Sequence, residues 1–332
     1  MKANLKKILT ARNEFSAAIN QICAERDIEP IVVLESIEEA ILAAYRKDYE
    51  WDEEANYEVD ILPETGELRI LKDGKDITPS GFGRIAAQAA KQVILQKVRE
   101  AEKDVAIAKL LEKQGQVVSG SIFRKEGPNY YVLIGKVEAF LPKKEQVPGE
   151  EYQLNQRMRF LVKGEGETPR KTKTVIVSRS DPEFVAQLFF QEVPEMRAGS
   201  VVIKNIARES GQRTKIAVTS TRAGVDPVGT CVGQKGVRVQ TVINELGGEK
   251  IDVIQYSDNP VMFIAAALSP AEGLKIELDE KKKIAYVYGD PEQLALAIGK
   301  EGQNVRLASK LTGWEIEIMS EEKEKELKQK KS

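Results

Sequence analysis

Apolar residues in the first fifty positions recur at helical spacing. Phe15, Ala18, Ile19 and Ile22 fall on one stripe, and Leu34, Ile37, Ile41 and Tyr45 on a second. After the acidic run "DEEAN" the period changes to two. The stretch "NYEVDILPETGELRILKDG" (56–74) holds two short alternating runs joined by the turn-forming "PETG", which predicts a β-hairpin. Beyond "TPSGFG" the helical period returns. Ile85, Ala89, Val93, Ile94, Val98 and Ala101 trace one apolar face of a helix longer than 25 residues, with acidic and basic residues alternating opposite. Packing on its own domain accounts for most of that face; protein docking is the alternative.

From 113 the pattern turns to short β-like runs, at 116–123, 129–134, 137–141, 157–163 and 173–179, separated by Gly, Pro and charged turns. Five short strands in about 65 residues suit a small closed barrel of the OB type. Phe123, Tyr131 and Phe140 lie among Arg124, Lys125, Lys136, Lys143 and Lys144. Rings beside cations are what a groove for single-stranded nucleic acid needs, because each ring offers a π-face to a base. A barrel also needs aromatic side chains inside, so surface and interior stay open for each of the three.

The remaining pattern occurs twice. Two strand-like runs ("SVVIKNIARES" and "TKIAVTS", then "LKIEL" and "KIAYVYG") lead to Asp226-Pro227 and Asp290-Pro291, helix starts in which Asp caps free N–H groups and Pro fits the first turn. A short helix follows, then Gly-x-x-Gly, a second helix and a closing strand ("KIDVIQY", "WEIEIMS"). At an offset of 66, Val232, Gly233, Gly236 and Val239 fall on Ile298, Gly299, Gly302 and Val305; past the second helix the offset is 65. A domain duplication is expected.

Gly-x-x-Gly between helices allows a tight turn with positive φ and no Cβ in the way, so a phosphate backbone can lie against the loop. The N–H groups opening the next helix add a favourable dipole. This is the device of KH domains, which clamp about four nucleotides of backbone. The candidate RNA-binding residues are Gly233, Gln234, Lys235, Gly236 and Arg238 in the first copy, and Gly299, Lys300, Glu301, Gly302, Asn304 and Arg306 in the second, with Phe123, Tyr131 and Phe140 in the barrel. Lys235 and Lys300 supply the loop cations, with Arg238 and Arg306 nearby; Glu301 opposes Lys300 and makes the second loop the weaker binder. A lone Gly-x-x-Gly is more often a helix–helix turn, but two in matched contexts behind a barrel favour RNA.

Composition narrows the chemistry. The chain has 332 residues and no histidine, which removes Ser-His-Asp and Cys-His catalysis and His-ligated zinc; two cysteines cannot build a cysteine-only zinc site. No Walker-type loop or dinucleotide fingerprint occurs. No catalysis, cofactor or metal is expected. Cys23 and Cys231 read as small buried hydrophobes. No apolar run reaches the length of a membrane span or signal peptide, so a cytoplasmic monomer is expected. The net charge of −2 is uneven. Residues 1–112 hold 16 basic against 22 acidic side chains, and residues 113–182 hold 13 against 8, which places a phosphate-binding surface in the middle of the chain.

The order and several strings, "DPVGTCVGQKGVRVQTVINELGGEKIDVIQYSDNP", "ALSPAEG", "AIGKEGQNVRLASKLTGWEIEI", "GKVEAFLPKKEQVPGEEY" and "FGRIAAQAAKQVILQKVREAE", resemble the bacterial NusA family of transcription elongation and termination factors along essentially the whole chain. The resemblance implies an α+β multidomain fold. Its parts would be an N-terminal α/β head with a long helix (1–112), an S1-type OB barrel (113–182), and two tandem type II KH domains (183–268, and 269–332 with a charged tail). It also implies that the head binds core RNA polymerase and that barrel and KH pair engage nascent single-stranded RNA, with other transcription factors joining. Pausing, termination and antitermination would be modulated without catalysis. Two departures stand out. The stretch "LKDGKDITPSGFG" looks short, so a head lacking a strand or loop is expected, and only the charged tail "SEEKEKELKQKKS", expected to be solvated, follows the second KH domain, in place of acidic repeats. The acidic run around Glu50–Glu54 and the hairpin are candidate polymerase contacts. S1 and KH domains also accompany phosphorolytic exoribonucleases, but 112 residues cannot supply that catalytic domain. A ribosome-associated translation factor would use the same RNA-binding parts.

Overall fold

A computed structural model of the chain describes residues 14–26, 28–61 and 68–319. The expected "PETG" turn and the charged tail lie outside these residues. Contacts divide the chain into two compact units, 1–109 and 110–332.

In the first unit, helices α1 (Glu14–Arg26) and α2 (Pro30–Asp48) pack beside a three-stranded antiparallel sheet of β1 (Tyr57–Ile61), β2 (Leu68–Lys72) and β3 (Lys75–Asp76). Pro30 opens α2 and Arg46 and Lys47 close it, in keeping with the helix dipole. Strand β3 falls inside the stretch that looked short. Helix α3 (Phe82–Leu111) runs 30 residues. The core joins Ile19, Cys23, Leu34, Ile37, Ile41 and Tyr45 to Val59 and Ile70, and to Phe82, Ala86 and Ala90 of α3. The expected stripe Ile85, Ala89, Val93 and Ile94 flanks that line and is only partly buried. The centre of the face sits on an aromatic and two alanines because Phe82 packs edge-on against Tyr45 and Tyr49, with ring centroids 5.8 and 5.9 Å apart.

The second unit begins with a closed barrel in the order β4-β5-β6-β8-β7. Its strands are β4 (Val117–Glu126), β5 (Asn129–Ile134), β6 (Val137–Leu141), β7 (Arg157–Glu167) and β8 (Lys173–Ser178). Helix α4 (Pro182–Glu192), capped by the Asp181 carboxylate, and the short α5 (Pro194–Arg197) lead into the first repeat. There β9 (Val201–Glu209), β10 (Arg213–Ser220) and β11 (Lys250–Gln255) form a sheet, with β9–β10 antiparallel and β10–β11 parallel. Helices α6 (Pro227–Val232) and α7 (Val237–Glu245) fill the crossover, and α8 (Pro260–Ala267) leads on. The second repeat has the same topology. Strands β12 (Lys275–Asp279), β13 (Ile284–Tyr288) and β14 (Glu315–Ile318) pair antiparallel then parallel, with α9 (Pro291–Ile298) and α10 (Gln303–Thr312) in the crossover.

The two repeats share one core. Ala207, Ala217 and Ile254 of the first pack with Phe263 and Ile264 of α8, and with Ala285, Leu307, Ala308 and Leu311 of the second. Asn205 donates to the Leu311 carbonyl at 3.1 Å. Barrel and first repeat are joined by buried charge. Arg179, 1% exposed, pairs with Glu150 and donates to Glu245 Oε1 at 3.1 Å, to the Glu245 carbonyl at 2.8 Å and to the Arg159 carbonyl at 2.7 Å. Beside it Arg208 pairs with the fully buried Glu249 at 2.8 Å and donates to the carbonyls of Arg179 and Asp181.

Candidate nucleic-acid interface

Each Gly-x-x-Gly sits between two helices, and the two loops have one backbone conformation. In the first, φ/ψ are 76/171° at Gly233, 51/25° at Lys235 and 78/10° at Gly236. In the second they are 70/178° at Gly299, 54/26° at Glu301 and 71/15° at Gly302. Three of four residues per loop therefore have positive φ. The two glycines of each pair are needed for different reasons. A Cβ at Gly233 would stand 2.7 Å from Arg238 Cγ, and one at Gly299 2.7 Å from Asn304 Cβ. A Cβ at Gly236 or Gly302 would meet nothing closer than 4.0 Å, so there only the left-handed backbone selects glycine.

The helix after each loop begins without a side-chain cap, although its first N–H, that of Val237 or Gln303, donates to the Gln234 or Lys300 carbonyl. Asp181, Asp226 and Asn259 cap α4, α6 and α8 through their side chains, whereas Gly236 before α7 and Gly302 before α10 bring none. The unfilled N–H groups of a helix start and its dipole together favour an anion. Around them Gln234, Lys235, Lys300 and Glu301 are exposed. Val237, beside the first loop, is 63% exposed. Asp226 caps α6 as expected, donated to by the Val228 N–H at 3.0 Å, but the side chain of Asp290 makes no capping bond to α9.

The charged candidates next to the loops divide differently from the sequence expectation. Arg238 is a brace: its Nη1 donates to the Thr230 carbonyl at 2.7 Å and to Glu195 at 3.0 Å, with its stem lying over Gly233. Its counterpart at offset 66 is Asn304, 1% exposed, whose Nδ2 donates to the Leu296 carbonyl at 3.0 Å, the position equivalent to Thr230, and to the Leu268 carbonyl at 2.9 Å. Both side chains hold their loops: Arg238 stays partly exposed, and the buried Asn304 Oδ1 has no partner among the described residues. Arg306 corresponds instead to Gln240. Its guanidinium is half exposed and clasps Glu209 of β9, with Nε to Oε1 at 2.6 Å and Nη2 to Oε2 at 3.1 Å. Hydrogen bonding from Arg306 holds the Glu209 carboxyl below its ordinary range.

Of the three barrel candidates Phe123 has the open ring, 50% exposed where the β4–β5 pairing slips between Ile122 and Arg124. Tyr131 and Phe140 face each other across β5 and β6 and are 3% and 5% exposed; they share the outer face of the barrel with Leu133 and Glu138, while Val132, Ala139 and Leu141 fill the interior, so the two rings are covered from outside. The Arg124 guanidinium lies 3.4 Å over the Tyr131 ring while bonded to Glu126 and Glu138. The structure thus brings each loop together with an uncapped helix start and one exposed lysine, engages Arg238 and Asn304 in bracing the loops, and covers Tyr131 and Phe140 on the outer face of the barrel. Sequence reasoning missed Glu195 and Glu209, which lie 43 and 97 residues from the arginines they hold; no local pattern marks such pairs. Cys231 is fully buried behind the first loop, and burial pushes its thiol up to about 12, so it behaves as a small hydrophobe. Among the described residues no cluster of acidic or cysteine side chains suits a metal ion, and no helix is long and apolar enough to cross a membrane.

Comparison with known proteins follows the same layout. The NusA N-terminal domain matches residues 14–77 and 73–104, the NusA-like first KH domain residues 179–256, and the NusA-like second KH domain residues 260–326. The chain is 40% identical over 348 residues to the transcription termination/antitermination protein NusA of Halalkalibacterium halodurans, covering 95% of this chain and 90% of that one. It is 40% identical to the Bacillus subtilis protein of that name, covering 95% and 93%, and 38% identical to that of Thermus thermophilus, covering 91% and 89%. With a likeness of this degree running through head, barrel and both repeats, the chain belongs to the NusA family of transcription termination/antitermination proteins.

Proposed function

We propose that this protein is a non-catalytic, RNA-binding transcription factor that works in the cytoplasm as a monomer. Residues 1–112 attach it to core RNA polymerase. The barrel (113–182) and the two KH domains (183–268 and 269–332) hold emerging single-stranded RNA and so bias pausing, termination and antitermination. The observation that carries this reading is the pair of uncapped helix starts behind two superimposable positive-φ loops, with Lys235 and Lys300 exposed beside them. Such loops suit an extended phosphodiester backbone, which asks for N–H donors and a cation and no particular base. Phe123 adds a stacking face on the barrel.

The test uses the full chain with Gln234→Asp and Lys235→Asp. Both residues are exposed, and aspartate tolerates the left-handed backbone at position 235, so the fold stays while two negative charges face the phosphate site. Affinity for unstructured RNA should fall at least tenfold, and retention on core RNA polymerase should not change. Unaltered RNA affinity would sink the clamp reading. Failure of the unmutated chain to hold polymerase would sink the assignment of residues 1–112.

A further inference from the structure

The two loops share a backbone, but their electrostatic surroundings differ. In the second copy a carboxylate from the first domain already sits on the cation. Glu209 ends β9, and both its oxygens are engaged: Oε1 by Arg306 Nε at 2.6 Å, and Oε2 by Arg306 Nη2 at 3.1 Å and Gln303 Nε2 at 3.0 Å. Gln303 is the first residue of α10, directly behind Gly302, and also donates to Gln212 at 2.8 Å. A carboxylate held in both teeth of a guanidinium fork has the geometry with which arginine takes a phosphate. Arg306 remains 48% exposed while Glu209 is 16% exposed, so the fork is reachable from solvent although one side of it is filled. In the first copy Gln240 takes the place of Arg306 and donates to Asn244 of its own helix, and the arginine–carboxylate pair there, Arg238 with Glu195, braces the loop from over Gly233.

On the reading that these loops bind RNA, we propose that Glu209 is a specificity-determining residue of the second KH domain. It is a built-in anion that an RNA phosphate must displace from Arg306. The pair Glu209 and Glu301 offsets Lys300 and Arg306, so the second loop is close to neutral until that exchange takes place, whereas the first loop presents Lys235 with no acidic residue within it. RNA therefore loads on the first domain and reaches the second by exchange. Binding there is limited by competition with the first domain's own hairpin.

The experiment measures affinity and its salt dependence for oligoadenylates of increasing length in the full chain, carrying Gln234→Asp and Lys235→Asp so that the second loop dominates. Glu209→Gln keeps the shape and lets the amide oxygen still accept from Arg306, but removes the charge. Expected is severalfold tighter binding with a salt slope steeper by about 0.7, the increment for one phosphate contact on a single strand. Adding Arg306→Gln should erase both changes. If Glu209 were only a strut between domains, Glu209→Gln would leave affinity and slope unchanged or weaken binding, and the proposal would fall. Failure of the RNA reading itself looks different: Gln234→Asp with Lys235→Asp would then leave the binding of the otherwise unmutated chain untouched.

Discussion

Arg238 and Asn304 solve one problem with different chemistry. Each must reach back over a loop glycine to the carbonyl at the equivalent position of the preceding helix, Thr230 or Leu296. The arginine needs Glu195 to balance its charge, while the asparagine is neutral and is buried whole. Both belong to the sequence stretch that points to RNA, and the sequence has no means of telling a brace from a ligand, because the deciding partners are remote in the chain. Glu38 of α2 is a residue-scale case in the first unit. Burial, with Glu35 and Glu58 adding repulsion, pushes its carboxyl up to about 7 from an ordinary 4.5. Between those values the folded chain keeps a proton that the unfolded chain has released. The stability of the unit therefore falls as pH rises through this window, at up to about 1.4 kcal/mol per pH unit. Glu38→Gln should be more stable than the parent chain at pH 8, with the difference shrinking toward pH 5 in thermal unfolding. A pH-independent difference would contradict the assignment.

At the level of elements, the loop makes a graded prediction. Gly302→Ala meets only the cost of a left-handed backbone, about 1–2 kcal/mol. Gly299→Ala meets that and a Cβ placed 2.7 Å from Asn304 Cβ and 3.1 Å from its backbone nitrogen. Urea unfolding should show Gly299→Ala to be the more damaging, by a further 1–3 kcal/mol or so. Equal losses would mean that helix α10 gives way easily. Elements of this kind were legible in advance, since Gly-x-x-Gly, the Asp-Pro starts and the alternating runs are local signals. All five barrel strands begin within a residue of their expected places. The buried line of α3 was less legible. Alanines 86 and 90 carry little hydrophobic signal by themselves, and it is the rings of Tyr45 and Tyr49, far off in sequence, that make Phe82 the anchor. The rings of Tyr131 and Phe140 stayed undecided because the sequence does not show that Arg124, held by Glu126 and Glu138, covers an outward-facing ring.

For the molecule as a whole, the decisive parts are the ones composition concealed. Arg179 and Arg208 read as two more surface cations, yet each is 1% exposed in its side chain: Arg179 is tied to Glu150 and Glu245 on the two sides of the barrel–KH junction, and Arg208 to Glu249 and to the carbonyls of Arg179 and Asp181. Removing one partner of such a buried set leaves charges that nothing neutralises, at a cost of about 3–5 kcal/mol. Arg179→Met should therefore split a single cooperative urea transition of residues 110–332 into two, with the barrel melting apart from the KH pair. Retention of one transition would show that the apolar contacts of α4 suffice. On the proposed RNA-binding role, that junction and the shared core of the repeats tie barrel, first loop and second loop together, and the second unit would work as a gauge of contour length. A strand that is single and extended can register on every station at once. The same strand paired into a stem would be too short for its nucleotides to reach. Rigidity built from buried charge would then let the protein sort transcripts by whether they have folded, with no need to read a base.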